Sequence, residues 1–115
     1  NSLIITQIES PAVIENVEVI AAVEGVDVLF VRPIDLSICM GLLRQFDHSD
    51  YIAATEKAVE AAKKHNKASG VLGFASPNLA KFCAKSFPFL AVGSDGGMVA
   101  IGMKELVKAN QKAVQ

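Results

Sequence analysis

Four times along this 115-residue chain, a short run of β-branched and other apolar residues is followed by a segment with helical spacing. Leu3-Ile4-Ile5-Thr6-Gln7-Ile8 reads as a strand, and Ser10-Pro11 then supplies an N-cap residue with proline at the first helical position. Val13, Ile14, Val17, Ile20 and Ala21 recur at helical spacing, and Gly25 is the expected stop. Val26 to Val31 is almost wholly apolar, as in a strand covered on both faces. Arg32-Pro33 ends it, and a short helix is expected from Leu36 to Leu43. The polar stretch from Gln45 to Asp50 leads into a long helix. Ala54, Ala58, Ala61 and Ala62 form one face of that helix, and Lys63, Lys64 and His65 suit its C-terminal dipole. Ala68 to Phe74 is the third strand, whose glycines mark a close approach. Ser76-Pro77 repeats the cap-plus-proline start, and a helix follows through Leu79, Ala80, Phe82, Cys83 and Ala84. Phe89 to Val92 is the fourth strand, and the glycine-rich turn from Gly93 to Gly97 opens a last helix from Met98 to about Ala113.

The order is βαβαβαβα with roughly 29 residues per unit, which implies an α/β fold with a parallel sheet and right-handed crossovers. Four such units are half of an eight-unit barrel of about 250 residues. They also suffice for a small open sheet, and the periodicity is compatible with either. Apolar residues make up 51% of the chain and charged residues 20%, the balance of one globular domain. A net charge of -1 gives no electrostatic case for nucleic acid or an anionic membrane surface. The apolar runs are too short to span a bilayer. The start, Asn1-Ser2-Leu3, lacks the charged and apolar regions of a signal peptide and reads as a cut end. Cys39 and Cys83 are expected to be partly buried free thiols, which points to a reducing, cytoplasmic compartment.

Two acidic residues follow strands in successive units, Glu9 and Asp35. In a parallel sheet both lie on the rim formed by the strands' C-terminal ends, where ligands bind. Glu9 alone fits a solvated acid favoured by a helix N-terminus, and Asp35 alone fits the N-cap of the Leu36 helix. At equivalent positions of neighbouring units they point instead to one shared divalent cation of the Mg²⁺ or Mn²⁺ type, with water and substrate filling its remaining positions. Gln7 shares a strand face with Glu9, so its amide can reach a substrate carbonyl or a metal-bound water. The backbone amides of Ile34 and Asp35 stand at a helix start and can bind a carboxylate, whereas Pro33 has no N–H. Gly93-Ser94-Asp95-Gly96-Gly97 offers bare amides for an anion, although it lacks the lysine of a P-loop and equally fits a turn that needs glycine. His48 is expected as a loop or cap residue and His65 as a solvated residue. No Cys/His or Ser/His/Asp arrangement is visible.

Taken together, Gln7-Ile8-Glu9-Ser10, Gly25-Val26-Asp27-Val28-Leu29-Phe30-Val31, Pro33-Ile34-Asp35-Leu36-Ser37 and Ala91-Val92-Gly93-Ser94-Asp95 resemble the HpcH/HpaI aldolases. These are class II, metal-dependent lyases that cleave or form a carbon–carbon bond next to pyruvate. The resemblance covers essentially the whole chain as the family's C-terminal half. It implies that residues 1–115 form a single partial domain carrying units five to eight of a (β/α)8 TIM barrel. It implies Glu9 and Asp35 as metal ligands, with Mg²⁺, Mn²⁺ or Co²⁺ as the ion. Gln7 would approach the metal-bound 2-oxo acid, the amides of Ile34 and Asp35 would hold its carboxylate, and Leu72 would line the pocket. The implied chemistry is retro-aldol cleavage of pyruvate-derived 2-oxo acids such as 4-hydroxy-2-oxo acids, through a pyruvate enolate. The implied assembly is a homo-oligomer, commonly a hexamer with the last helix exchanged between subunits, or association with the missing barrel half.

The chain departs from the family in two ways. Arg32 stands where the family usually carries glycine, and a long cation there would either help bind an acid or block the pocket. The family's catalytic base pair and substrate-binding arginine belong to the N-terminal half, so no catalytic residue is identified here. The leading expectation is half of an aldolase, active when the other half is supplied. One rival is a non-catalytic half-barrel kept as a binding or structural module. The other is an open-sheet α/β domain with an unrelated ligand.

Overall fold

The computed structural model describes residues 1–73 and 86–114. The expected Ser76-Pro77 cap, the helix through Leu79 to Ala84, and Cys83 lie outside the described residues. Within them the elements are β1 (Ile5–Ile8), α1 (Pro11–Glu15), α2 (Val17–Ala21), β2 (Val28–Val31), α3 (Pro33–Cys39), α4 (Ser49–Lys64), β3 (Ala68–Gly73), β4 (Phe89–Val92) and α5 (Asp95–Val114).

The strand order is β1-β2-β3-β4, and all three pairings are parallel. This order resolves what periodicity left open. Crossovers of the usual right hand that advance the sheet in one direction put the described β1–β2 and β2–β3 connecting helices on one face. A doubly wound open sheet reverses direction and covers both faces. Sequential winding is that of a barrel wall.

Register defines the two faces. Gln7 pairs with Phe30, Phe30 with Gly70, and Gly70 with Phe89, which makes one row across the face turned away from the helices. Ile8, Val31 and Val71 form the next row, on the opposite face, and are buried. That second face, with Leu29, packs beneath Ile14, Val17, Leu36, Tyr51 and the alanines of α4 as one apolar cluster. Ala58, Ala61 and Ala62 are buried, so the expected small-residue face of α4 is the face it lays on the sheet. Each fully buried residue the size of Leu29 contributes about 1.5–3 kcal/mol through lost water contact. Gly70 is the close approach its sequence signalled, because Phe30 and Phe89 meet edge to face beside it with ring centroids 6.1 Å apart.

Several boundaries differ from the sequence reading for local reasons. The single helix expected after Ser10-Pro11 is two, divided at Asn16. The Asn16 side chain donates to the Ala12 carbonyl at 2.8 Å, a local bond that competes with helix continuation. Ser10 is the N-cap as expected, its Oγ accepting from the Val13 amide at 3.4 Å. Gly25, at φ 89°, lies in the loop beyond the end of α2 at Ala21. β2 begins at Val28, and Asp27 before it clamps the chain ahead of β1: its Oδ2 accepts from the Ile4 amide at 2.8 Å. α3 begins at Pro33, with Arg32 as its N-cap, so Asp35 lies inside the first turn and is not the cap. α5 begins at Asp95, and all its described residues are exposed, including Met98, Ile101, Met103 and Leu106. The radius of gyration, 17.2 Å, accordingly exceeds the value of about 13 Å for a compact chain of this size.

Candidate active site

Parallel pairing of Ile8 with Val31 sets the residues after β1 and β2 side by side on the same rim. The Arg32 amide donates to the Ile8 carbonyl at 3.1 Å, extending the ladder to the point where both strands end. Glu9 lies two residues beyond Gln7, and Arg32 two beyond Phe30. Strand periodicity gives all four the same face, the one turned away from the helices.

The structure therefore brings Gln7, Glu9 and Asp35 together, and Arg32 is what joins them. Its Nη1 lies 3.4 Å from Glu9 Oε2 and donates to Gln7 Oε1 at 3.3 Å. Its Nε lies 3.0 Å from Asp35 Oδ2. A guanidinium has donors only, so the Gln7 amide must present its oxygen to Arg32, which leaves its NH₂ to donate elsewhere. The charged side chains are about two-fifths exposed, at 38% for Arg32, 44% for Glu9 and 43% for Asp35. Ion pairs so exposed contribute about 0.2–1 kcal/mol each and exchange readily.

Pro33, Ile34 and Asp35 form the first turn of α3, and the Leu36 amide makes the first intrahelical bond, to Arg32 O at 3.0 Å. The amides of Ile34 and Asp35 are thus donors that the helix itself leaves unused. Leu72 pairs with Ala91 and lies two residues beyond Gly70, which places it on the same sheet face as Gln7 and Phe30. It is half-buried.

The donor set suits a small hard cation. Glu9 and Asp35 already share one positive charge, and a Mg²⁺-type ion needs only one or two carboxylates when substrate and water complete its shell. Among the described residues no group of three or more His, Cys, Asp or Glu side chains stands together. A protein-only cage of the zinc type is therefore not formed by them.

Other sequence candidates have different work. His48 caps α4, its Nδ1 accepting from the Asp50 amide at 3.2 Å. His65, expected to be solvated, instead meets Glu18 Oε2 at 3.0 Å, and Lys64 meets the same oxygen at 3.1 Å. The hydrogen bond from Lys64, then that from His65, holds the Glu18 carboxyl below the usual carboxylate range. Two amides of the Gly93–Gly97 turn, those of Gly96 and Gly97, are not bare. Ser94 Oγ accepts from the Gly97 amide at 3.1 Å, and Asp95 Oδ1 accepts from the Gly96 amide at 2.7 Å. Gly93, at φ 75°, is there for the turn. One residue near the site had no assigned role. Ser37 is fully buried, donates to Ile34 O at 2.8 Å and accepts from the Arg44 amide at 3.1 Å. It ties the loop after α3 to the turn that carries Asp35. A serine inside a short apolar helix was the signal for it.

Sequentially wound parallel strands, with the described connecting helices on one face and acidic side chains on the C-terminal rim, define a segment of a barrel-type α/β fold. Residues 1–101 match the HpcH/HpaI aldolase/citrate lyase family, and the chain belongs to that family. It is 38% identical over 112 residues to the 5-keto-4-deoxy-D-glucarate aldolase of Klebsiella pneumoniae subsp. pneumoniae, covering 97% of this chain and 44% of that protein. The enzyme of the same name from Salmonella arizonae is also 38% identical, with the same coverage. The chain thus spans less than half the length of these relatives. Among solved structures, it is similar to an HpcH/HpaI aldolase/citrate lyase family protein from Burkholderia cenocepacia J2315, with TM-score 0.80 and 27% identity, over 95% of this chain and 42% of that one. The HpcH/HpaI aldolase from Desulfitobacterium hafniense DCB-2 gives TM-score 0.81 and 25% identity over the same shares.

Proposed function

We propose that this chain is the C-terminal half-barrel of a metal-dependent aldolase, supplying the metal- and 2-oxo-acid-binding side of a carbon–carbon lyase. The observation that carries this reading is the convergence of Gln7, Glu9 and Asp35 on one positive charge at the rim of adjacent parallel strands. The name shared by the relatives supports the substrate class. In a 5-keto-4-deoxyglucarate the keto group at C5 adjoins the C6 carboxylate. Counted from that end, the compound is a 4-hydroxy-2-oxo acid, the kind that splits into pyruvate and an aldehyde.

In this reading Glu9 and Asp35 hold Mg²⁺, Mn²⁺ or Co²⁺. The bound ion supplies Lewis-acid stabilisation for negative charge developing on the 2-oxo oxygen. Gln7 turns its NH₂ toward that oxygen. The amides of Ile34 and Asp35 take the adjacent carboxylate, and Leu72 covers the apolar side. The proton-transferring base comes from the other barrel half, since His48 and His65 are engaged elsewhere. β1 and β4 are the outer strands of the described sheet, and each offers an edge for that half to pair with. The exposed apolar residues of α5 fit a second copy of the chain, hence a homo-oligomer. No described helix is long and apolar enough to cross a membrane. The exposed free thiol of Cys39 suits a cytoplasmic location.

The position of Arg32 between the carboxylates favours one other reading, a half-barrel that keeps the fold as a non-catalytic binding or structural module. Oxaloacetate decarboxylation and pyruvate-aldol cleavage, assayed with and without Mg²⁺ or Mn²⁺, separate the two. In protein carrying both barrel halves, metal-dependent turnover is expected. It should fall in Glu9→Gln by more than the about 10- to 100-fold seen when an outer partner of a metal ligand is lost. Turnover undiminished in Glu9→Gln would sink the ligand assignment, and absence of turnover in the assembled protein would favour the binding module.

A further inference from the structure

One guanidinium stands against every side chain assigned to the proposed metal end of the site. Arg32 Nε is 3.0 Å from Asp35 Oδ2, while Nη1 is 3.4 Å from Glu9 Oε2 and 3.3 Å from Gln7 Oε1. The contacts follow from the fold. β1–β2 register places Arg32 beside the end of β1, and its capping position puts Asp35 one helical turn away. Arg32 occupies one oxygen of each carboxylate and offsets its charge, and a divalent cation brought beside an unmoved guanidinium meets like-charge repulsion.

We propose that Arg32 is an internal counter-cation that competes with the divalent ion for Glu9 and Asp35, so that metal enters only as the guanidinium swings out. The proposal rests on the assignment of Glu9 and Asp35 as the metal's ligands. Arg32 is suited to leave. Its side chain is 38% exposed on a long flexible stem, so solvent can receive its charge at the rim. Two half-exposed ion pairs of ordinary strength set the competition at about twofold to thirtyfold in metal affinity. Arg32 is on this view a positioning residue that tunes occupancy. A purely structural role, in which Arg32 gathers the carboxylates for the ion, requires the opposite sign, because removing it would then weaken binding.

The test is a Mn²⁺ titration of purified protein, following the electron paramagnetic resonance of free Mn²⁺, in wild type, Arg32→Gly, Arg32→Gln and Glu9→Gln. Arg32 has extended backbone angles, φ -102° and ψ 97°, that glycine and glutamine also adopt. Far-UV circular dichroism identifies the variants that fold. Tightening of at least about twofold in the folded Arg32 variants, with binding weakened in Glu9→Gln, is the expected result. A smaller change or a weakening in the Arg32 variants, with Glu9→Gln still impaired, overturns the competition and leaves the metal site standing. No binding in any protein, or binding in Glu9→Gln equal to wild type, overturns both. A second readout needs no variant. The Arg32 Nε–Hε resonance of wild type should shift as Mg²⁺ saturates the site, and an unmoved resonance at saturation overturns the displacement.

Discussion

Replacing Gly70 with alanine puts one methyl group into the tightest place on the inner face of the sheet. The added Cβ falls 2.8 Å from Phe30 Cδ2, 3.0 Å from Phe89 Cδ1 and 3.0 Å from Val28 Cγ1. Carbon atoms pack at about 3.5–4.0 Å, so all three neighbours must retreat by roughly half an ångström or more. The rings have little freedom to do so, since they meet edge to face with planes at 81°. Turning either ring breaks a pair worth about 0.5–1.5 kcal/mol beyond its burial. Overpacking a filled core costs about 1–3 kcal/mol. Alanine's smaller unfolded-state entropy returns about 0.4–1 kcal/mol. The net expectation is a loss of about 2 kcal/mol, from overpacking and the broken ring pair less that return. Urea unfolding followed by circular dichroism reads it as a lower midpoint at unchanged slope. In a Phe30→Leu background the cost of Gly70→Ala should shrink by at least about 0.5 kcal/mol, because the two changes share one space. A loss below about 0.5 kcal/mol in the single variant would refute the close packing over Gly70. The position matters for the site, since Phe30 pairs with Gln7 and lies two residues before Arg32.

Ser37→Ala removes the acceptor of the Arg44 amide in a part-buried bond and should cost about 0.5–1.5 kcal/mol, with faster hydrogen exchange at that amide. Unchanged exchange there would contradict it. Glu18 has a folded-state pKa below its unfolded value, so the stability it contributes is present above the unfolded pKa and lost as pH falls through the folded one. Thermal melts should show wild type more stable than Glu18→Gln at pH 7, with the difference shrinking below about pH 4.3. A difference constant down to pH 3 would refute the Lys64 and His65 pairing as its source. Leu106→Asp places a charge on the exposed apolar surface of α5 and should reduce association in sedimentation velocity. A wild-type assembly that survives it unchanged would remove α5 from the interface.

What the sequence revealed, and what it hid, divide along the range of the interaction involved. Strands β3 and β4 were legible as short, mostly apolar runs, β4 bounded by Pro88 and Gly93. The start of α3 carried the same signal as Ser10-Pro11, a proline at the first helical position, and was placed three residues late. The break at Asn16 was hidden because it depends on which carbonyl one side chain selects. Strand order was hidden as well, since periodicity describes each strand and never its neighbour. The acidic rim was legible from Glu9 and Asp35 as strand ends. Their link through Arg32 was not, because it spans 23 residues from Glu9 and exists only in one register. The partner of His65, Glu18, is 47 residues away and escaped for the same reason.

Glu9 and Asp35 are proposed to hold one divalent ion together. Isothermal titration of Mn²⁺ into wild type, Glu9→Gln, Asp35→Asn and the double variant tests it directly. The expected result is one equivalent bound by wild type, at least about tenfold weaker binding in each single variant, and none measurable in the double. Binding that survives both single substitutions at wild-type strength would place the ion elsewhere and contradict the claim.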